Sequence, residues 1–195
     1  MDKRNIEATR EALLQAAGRL MTACSDPSEV TSRAITKEAG VNLAMINYCF
    51  GSREALLFEV FSRLQHEAEQ QNPVFRSIVQ SEMPPKQKLI RLHVEAMNMM
   101  LKYSKYVKAI TKYALLSRSI SASRGSLPFI QAHFGGRKTE QECRLIAYEL
   151  SSLHELVLLR HEEIKAACGV DLTDERVLLK YVTDHVNMFL GESAL

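Results

Sequence analysis

Three observations predict an all-α chain. Apolar residues recur at the three-and-four spacing of amphipathic helices along most of the 195 residues, strand signals are nearly absent, and two cap-and-stop signatures follow one another between Val30 and Leu57. The run carrying them, VTSRAITKEAGVNLAMINYCFGSREALL, organises the rest of the chain. With 46% apolar residues there is enough to bury a real core, and the length permits one or two domains.

From Arg10 to Met21, residues Leu13, Leu14, Ala17, Leu20 and Met21 stand at core spacing. Thr31 reads as the N-cap of the next helix, since its hydroxyl can accept from the orphan amides of a first turn, and Val30 and Ile35 fall at N′ and N4 to staple the entry. That helix should end at Ala39, with Gly40 supplying the positive φ of a tight stop. Asn42 can cap a second short helix, with Val41 and Ile46 again spaced as a staple. The pair makes a helix-turn-helix over about residues 31–50. Phe50 and Gly51 close it, and Ser52 followed by Glu54 starts a third helix.

Such a pair presents its second helix to a DNA major groove, where residues of its first turns reach base edges. The exposed face is predicted to carry Leu43, Ala44, Asn47 and Tyr48. Ala44 is small enough for close approach, Asn47 can offer a bidentate amide to an adenine edge, and the Tyr48 hydroxyl suits a phosphate oxygen. Ile35, Ala39, Val41, Ile46 and Phe50 should face inward. Read without context, the same pattern also describes a helical corner in an unrelated bundle.

Beyond it, Arg53–Gln71 reads as one long helix with Leu56, Leu57, Val60, Phe61 and Leu64 on a stripe, joining two parts of the molecule. Pro73, Pro84 and Pro85 bracket a boundary and start the next helix. From Lys86 to Tyr103, residues Leu89, Leu92, His93, Ala96, Met97, Met100 and Leu101 recur at helical spacing. Lys105–Ser117 repeats the pattern, with Tyr106, Val107, Ile110, Tyr113 and Ala114 inward and Lys102, Lys105, Lys108 and Lys112 opposite, a stripe that suits either a solvated face or an anionic partner. Ser119–Gly136 contains Arg124, Gly125, Pro128, Gly135 and Gly136, so a broken region around a short helix is expected, with Phe129, Ile130 and Phe134 inward.

Thr139–Ala167 and Thr173–Leu190 read as two long helices. On the first, Cys143, Ile146, Ala147, Leu150, Leu153, Val157 and Ile164 form one stripe and Leu145, Tyr148, Leu156 and Leu159 a second. The last helix, with Tyr181, His185 and Met188 among its apolar and amphipathic positions, is again too wide for one core face. A helix apolar on two sides must bury both. The economical solution is a homodimer in which these helices meet their symmetry mates as a four-helix bundle, with Leu145, Tyr148, Leu156, Leu159, Tyr181, His185 and Met188 at the seam.

Charge and motif content narrow the function. The formal net charge of +2 argues neither for nor against nucleic acid. Residues 1–66 carry eight basic and eight acidic side chains, residues 86–124 nine basic against Glu95 alone, and residues 139–195 eleven acidic against five basic. Phosphate attraction is local, so Arg33, Lys37 and Arg53, with Lys3, Arg4 and Arg10 of the arm, are expected on the DNA side and Glu7, Glu11 and Glu59 away from it. The His-Glu pairs at His66, His154 and His161 never continue to H-E-x-x-H, and neither glycine-rich phosphate loops nor G-x-S-x-G occur, which argues against an enzyme. Cys24, Cys49, Cys143 and Cys168 are far apart, without a C-x-x-C pair, and read as small packing residues, Cys49 being the one placed to couple oxidation to DNA release. No leader and no long apolar run is evident, so a cytoplasmic protein without a membrane span is expected.

The run ITKEAGVNLAMINYCFGSREALL, preceded by REALLQAAGRLM from Arg10 to Met21, resembles the signature of the TetR family of transcriptional regulators, in which IAKEAGVS, an aromatic-rich helix end and F-x-S-K-E-x-L occur in that order. The specific similarity covers about the first third of the chain. The resemblance implies a three-helix DNA-binding domain over residues 1–66 and an effector-binding and dimerisation domain over 67–195. It places Tyr48 and Arg53 at phosphate-contacting positions. Asn47, Cys49 and Met45 replace a tyrosine, a histidine and a threonine common in the family, so the operator is this chain's own. The segment ACSDPSE, Ala23 to Glu29, lacks the family's glycine and aromatic residue and is one residue longer. The candidate DNA contacts are thus Thr31, Ser32, Arg33, Asn42, Leu43, Ala44, Met45, Asn47, Tyr48 and Arg53. The family's middle region holds a small-molecule effector, for which His93, Met97, Met100, Tyr103, Tyr113, Phe129 and His133 are candidates here; no cofactor or metal is implied. A ligand-responsive repressor on a pseudo-palindromic operator follows, the alternative being a helical interaction module of this fold without DNA binding.

Overall fold

The computed structural model describes residues 3–24, 26, 28–117 and 125–191, and among them every regular element is an α-helix. The chain packs as two compact units, Met1–Gln71 with Lys105–Leu116 and Asn72–Ser104 with Ser117–Leu195. Among the described residues no helix is long and apolar enough to cross a membrane.

The first unit holds α1 (Lys3–Ala23), α2 (Ser32–Ala39), α3 (Ala44–Phe50), α4 (Arg53–Gln71) and nearly all of α7 (Ser104–Ser117). Its core is built from Leu13, Leu14 and Ala17 of α1, Ile35 and Ile46 of the helix pair, and Leu56, Leu57 and Val60 of α4. From α7, Tyr106, Val107, Ile110 and Ala114 are buried, the Tyr106 hydroxyl donates to the Cys24 carbonyl at 2.7 Å, and Tyr113 packs its ring on Phe58 with centroids 5.5 Å apart. Packing therefore divides the chain differently from a cut at residue 66: α4 runs through that point without a break, and α7 belongs with the first unit.

The second unit holds α5 (Pro73–Gln80), α6 (Pro85–Lys102), α8 (Leu127–Phe134), α9 (Glu140–Leu159), α10 (His161–Cys168) and α11 (Glu175–Leu190). One apolar cluster joins α6, α8, α9 and α11, with Leu89 and Met97 from α6, Ile130 and Phe134 from α8, Ile146, Leu150 and Leu158 from α9, and Leu178, Val182 and Val186 from α11. The sequence marks residues 73–80 only as part of a boundary bracketed by Pro73, Pro84 and Pro85. The short helix there forms because Asn72 accepts from the Val74 amide at 2.9 Å and Pro73 takes the first turn, where its missing N–H is no loss. α9 begins with a capping box: the Thr139 amide donates to Glu142 at 2.7 Å and the Glu142 amide to the Thr139 hydroxyl at 3.3 Å. Asp174 caps α11 by accepting from the amides of Arg176 and Val177, one residue beyond the expected start at Thr173.

The single helix expected over Thr139–Ala167 is two. The chain leaves α9 at Arg160, whose φ of −110° and ψ of 19° interrupt the ladder, and its amide bonds back to Val157 at 3.2 Å before α10 begins. No residue of α10 is buried, so no core contact holds it in line with α9, and Arg160 turns its guanidinium onto Glu163. Residues 118–124, including Arg124 and the first third of the expected broken region, lie outside the described residues, as do Ser25 and Pro27 of the longer loop.

Candidate functional site

The helix pair of the first unit is assembled by local signals. The Thr31 hydroxyl accepts from the Ala34 amide at 3.1 Å, and Val30 and Ile35 on either side of the cap are fully buried. Gly40 stops α2 at φ 67° and ψ 30°, a conformation that a side chain would strain. Asn42 then accepts from the Ala44 amide at 2.8 Å, while its own carbonyl accepts from Met45 at 3.0 Å. Leu43 occupies the cap position itself in helical conformation, so Asn42 opens α3 from one residue further back than expected. Ser52 caps α4 by accepting from Ala55 at 3.0 Å.

Those joints fix the rotation of α3. Ile46 is buried in the unit, Met45, Cys49 and Phe50 are half-buried, and Ala44 and Asn47 are exposed beside Leu43 (48% exposed) and Tyr48 (63%). The small residue, the amide and the phenol predicted for one face thus share it. On α2, Thr31 and Arg33 are exposed and Ser32 half-buried, while Thr36 is buried and donates its hydroxyl back to Ser32 at 2.9 Å.

The cations divide into two groups. Arg33 and Lys37 are exposed on α2, and Arg4 on α1. Others are committed within the unit: Arg63 to Glu11 at 3.0 Å and Glu59 at 3.3 Å, and Arg19 to Glu38 at 2.9 Å. Arg10, expected on the DNA side, instead pairs with Glu59 and lies over the Phe50 ring at 4.7 Å. Hydrogen bonding from Arg63 holds the Glu11 carboxyl below the usual carboxylate range. The equal number of acids and bases in the head is therefore partly internal pairing, and Arg33 and Lys37 dominate the face around α2. Arg53, expected near a phosphate, donates from Nε to the Val30 carbonyl at 2.7 Å and from Nη1 to Glu54 at 3.2 Å, tying the entry of α2 to the start of α4. The side chain of Lys3 lies outside the described residues. Burial pushes the Cys49 thiol up, against a smaller opposite pull from Arg10, which leaves it a poor thiolate.

The residues expected at an effector site do not all come together. Met97 is buried in the core of the second unit, and Met100 and Phe129 pack against that core. His133 is half-buried, its Nε2 3.0 Å from the Leu190 carbonyl and its ring edge-on to Phe134. Tyr103 is exposed, and Tyr113 packs on Phe58 in the first unit. His93 faces His154, which the sequence marks only as part of a His-Glu pair, and whose neighbours on α11 are Tyr181 and His185. The available signal was a histidine on each of three long helices, but the pairing depends on how those helices cross.

Of the residues expected at a dimer seam, Met188 (70% exposed), Leu145 (55%) and Leu156 face outward. Tyr148 and Leu159 are half-buried. Tyr181 and His185 turn toward His154 within the same chain, the Tyr181 hydroxyl being buried.

No family model matches the sequence, and no curated protein is similar to it. Among solved structures, the chain is similar to a TetR-like transcriptional regulator from Rhodococcus sp. RHA1, at 17% identity over 94% of this chain and 97% of that one, with a TM-score of 0.49.

Proposed function

We propose that this protein is a cytoplasmic DNA-binding transcriptional regulator of the TetR type, a repressor that works as a homodimer on a pseudo-palindromic operator and responds to a small-molecule effector. The observation that carries the reading is the outer face of α3, where Ala44, Asn47 and Tyr48 are exposed around a buried Ile46, with Arg33 and Lys37 exposed on the preceding helix. A small residue, a planar amide and a phenol beside two cations suit a groove edge and its phosphate walls. The exposed Leu145, Leu156 and Met188 support a second copy as partner for α9 and α11. Two reading helices on one face of DNA call for half-sites about one helical turn, or a multiple of it, apart. An effector that prefers the dimer geometry with wrongly spaced reading helices weakens operator binding by the ratio of its two affinities.

The test is selection of retained fragments from the source genome, followed by gel retardation at several salt concentrations. Asn47→Ala is expected to cost about 1–3 kcal/mol on the selected site and to relax one base position, whereas Lys37→Ala weakens all sites alike and flattens the salt dependence. The equal count of acids and bases in residues 1–66 favours a second reading, a helical interaction module of the same fold. Failure to retain any fragment at low salt would select that reading.

A further inference from the structure

Ser126, His93 and His154 form a line of hydrogen bonds in the second unit. The Ser126 hydroxyl lies 2.8 Å from Nε2 of His93, and Nδ1 of His93 lies 2.8 Å from Nδ1 of His154. Two facing ring nitrogens at that distance share one proton, because two protons or two lone pairs would repel. Both rings are neutral near pH 7: burial lowers His93 to about 4, and burial, followed by the neighbouring His93 and His185, lowers His154 to about 2.

The line therefore has two self-consistent polarities. In one, Ser126 donates to His93, His93 donates to His154, and Nε2 of His154 carries a proton at the far end. In the other, His154 donates to His93, His93 donates to Ser126, and Nε2 of His154 presents a lone pair. Either way the terminal atom is the same, and it is buried without a partner among the described residues. His154 as a whole is 3% exposed. The Tyr181 hydroxyl is also buried without a partner among the described residues, on a ring whose centroid is 5.8 Å from that of His154. His185 stacks 4.1 Å from Tyr181, its Nδ1 2.9 Å from the Tyr181 carbonyl. A buried polar group left unmet costs about 1–3 kcal/mol, so two such groups on adjacent rings are a place where an incoming polar atom gains more than it would in water.

We propose that Nε2 of His154 and the Tyr181 hydroxyl form the polar end of a binding site for an uncharged molecule with an apolar body and one hydroxyl or carbonyl oxygen. A carbonyl accepts from both groups, and a hydroxyl accepts from one and donates to the other. The reversible polarity of the Ser126–His93–His154 line accommodates either without charging a ring. The apolar body suits the core cluster against which Tyr181 packs, and the same surroundings penalise a carboxylate or an ammonium. Naming such a molecule the effector rests on the regulator reading; the site itself does not.

The experiment uses the full chain, without DNA, and follows the histidine ring nitrogens by NMR at pH 7. The probes are cyclohexanol, cyclohexanone, methylcyclohexane and cyclohexanecarboxylate. The alcohol and the ketone are expected to shift Nε2 of His154 saturably, with the hydrocarbon and the carboxylate about three- to tenfold weaker or silent, the worth of one hydrogen bond. Tyr181→Phe should weaken the oxygenated probes by a similar factor, and His154→Phe should abolish their advantage over methylcyclohexane while the helical circular dichroism is kept. The proposal is overturned if no probe moves the His154 ring, if the carboxylate binds as well as the alcohol, or if both variants keep the preference. Because no DNA is present, its failure leaves the regulator reading standing, and a protein that retains no DNA fragment can still pass.

Discussion

The two units invert one another. In the first, the core around α2 and α3 is aliphatic and the amide and phenol of Asn47 and Tyr48 are held outside. In the second, three histidines and a tyrosine cluster inside, while Leu145, Leu156, Leu179 and Met188 stand exposed on α9 and α11. Exposing Asn47 and Tyr48 needs no compensation, because water satisfies them. Exposing large aliphatic side chains costs free energy, and so does burying an imidazole nitrogen such as Nε2 of His154 that meets no partner among the described residues. The contrast separates a unit whose exposed polar groups water satisfies from one that carries exposed apolar and unmet buried polar groups.

Acid should expose that contrast most strongly. An unfolded histidine takes up its proton near pH 6.5, whereas in the fold His93 waits until about 4 and His154 until about 2. Depressed folded values mean that the unfolded chain binds more protons below pH 6.5, so the stability present above that pH is lost as pH falls toward 4, by about 1 kcal/mol per pH unit for each ring. In the first unit His66 is exposed, and the hydrogen bond from Arg63 holds the Glu11 carboxyl below its ordinary value. Hydrogen exchange at pH 4.5 against pH 6.5 should show α6 and α9 losing protection before α2, α3 and α4. Simultaneous loss in both units would erase the distinction.

A cavity test sharpens the other side. Ile46→Ala removes a buried anchor of α3 and should cost about 3 kcal/mol in denaturant unfolding, while Leu43→Ala on the exposed side of the same turn should stay within about 0.5 kcal/mol. Equal effects would mean that the face assigned to DNA is part of the core. The smallest change in folding is expected from Leu145→Lys combined with Met188→Lys. Stability of the single chain should hold within about 0.5 kcal/mol, while self-association, followed by sedimentation across a concentration series, weakens about tenfold or more. Unchanged association would remove α9 and α11 as the seam.

Much of the first unit was legible because its signals are local. Thr31, Gly40 and Ser52 act on amides or dihedrals within four residues of themselves, and Ile35 and Ile46 stand one turn beyond their caps. The same logic located α6 and α11 to within two residues. It failed where a residue has two admissible partners. Arg10 looked like a phosphate ligand and was taken by Glu59 across 49 positions; Tyr113 looked like a pocket residue and was taken by Phe58.

By itself, then, the order of residues determined helix content, most helix ends, and which side of α3 is wet. All of these follow from contacts a few residues apart, whose geometry the backbone period dictates. Tertiary structure alone decided that α7 packs with the first unit, that Thr139–Ala167 bends at Arg160, and that His93 meets His154 across 61 positions. Those outcomes depend on how helices cross and which side chains their ridges bring together, and helical periodicity specifies a face without specifying the face it meets.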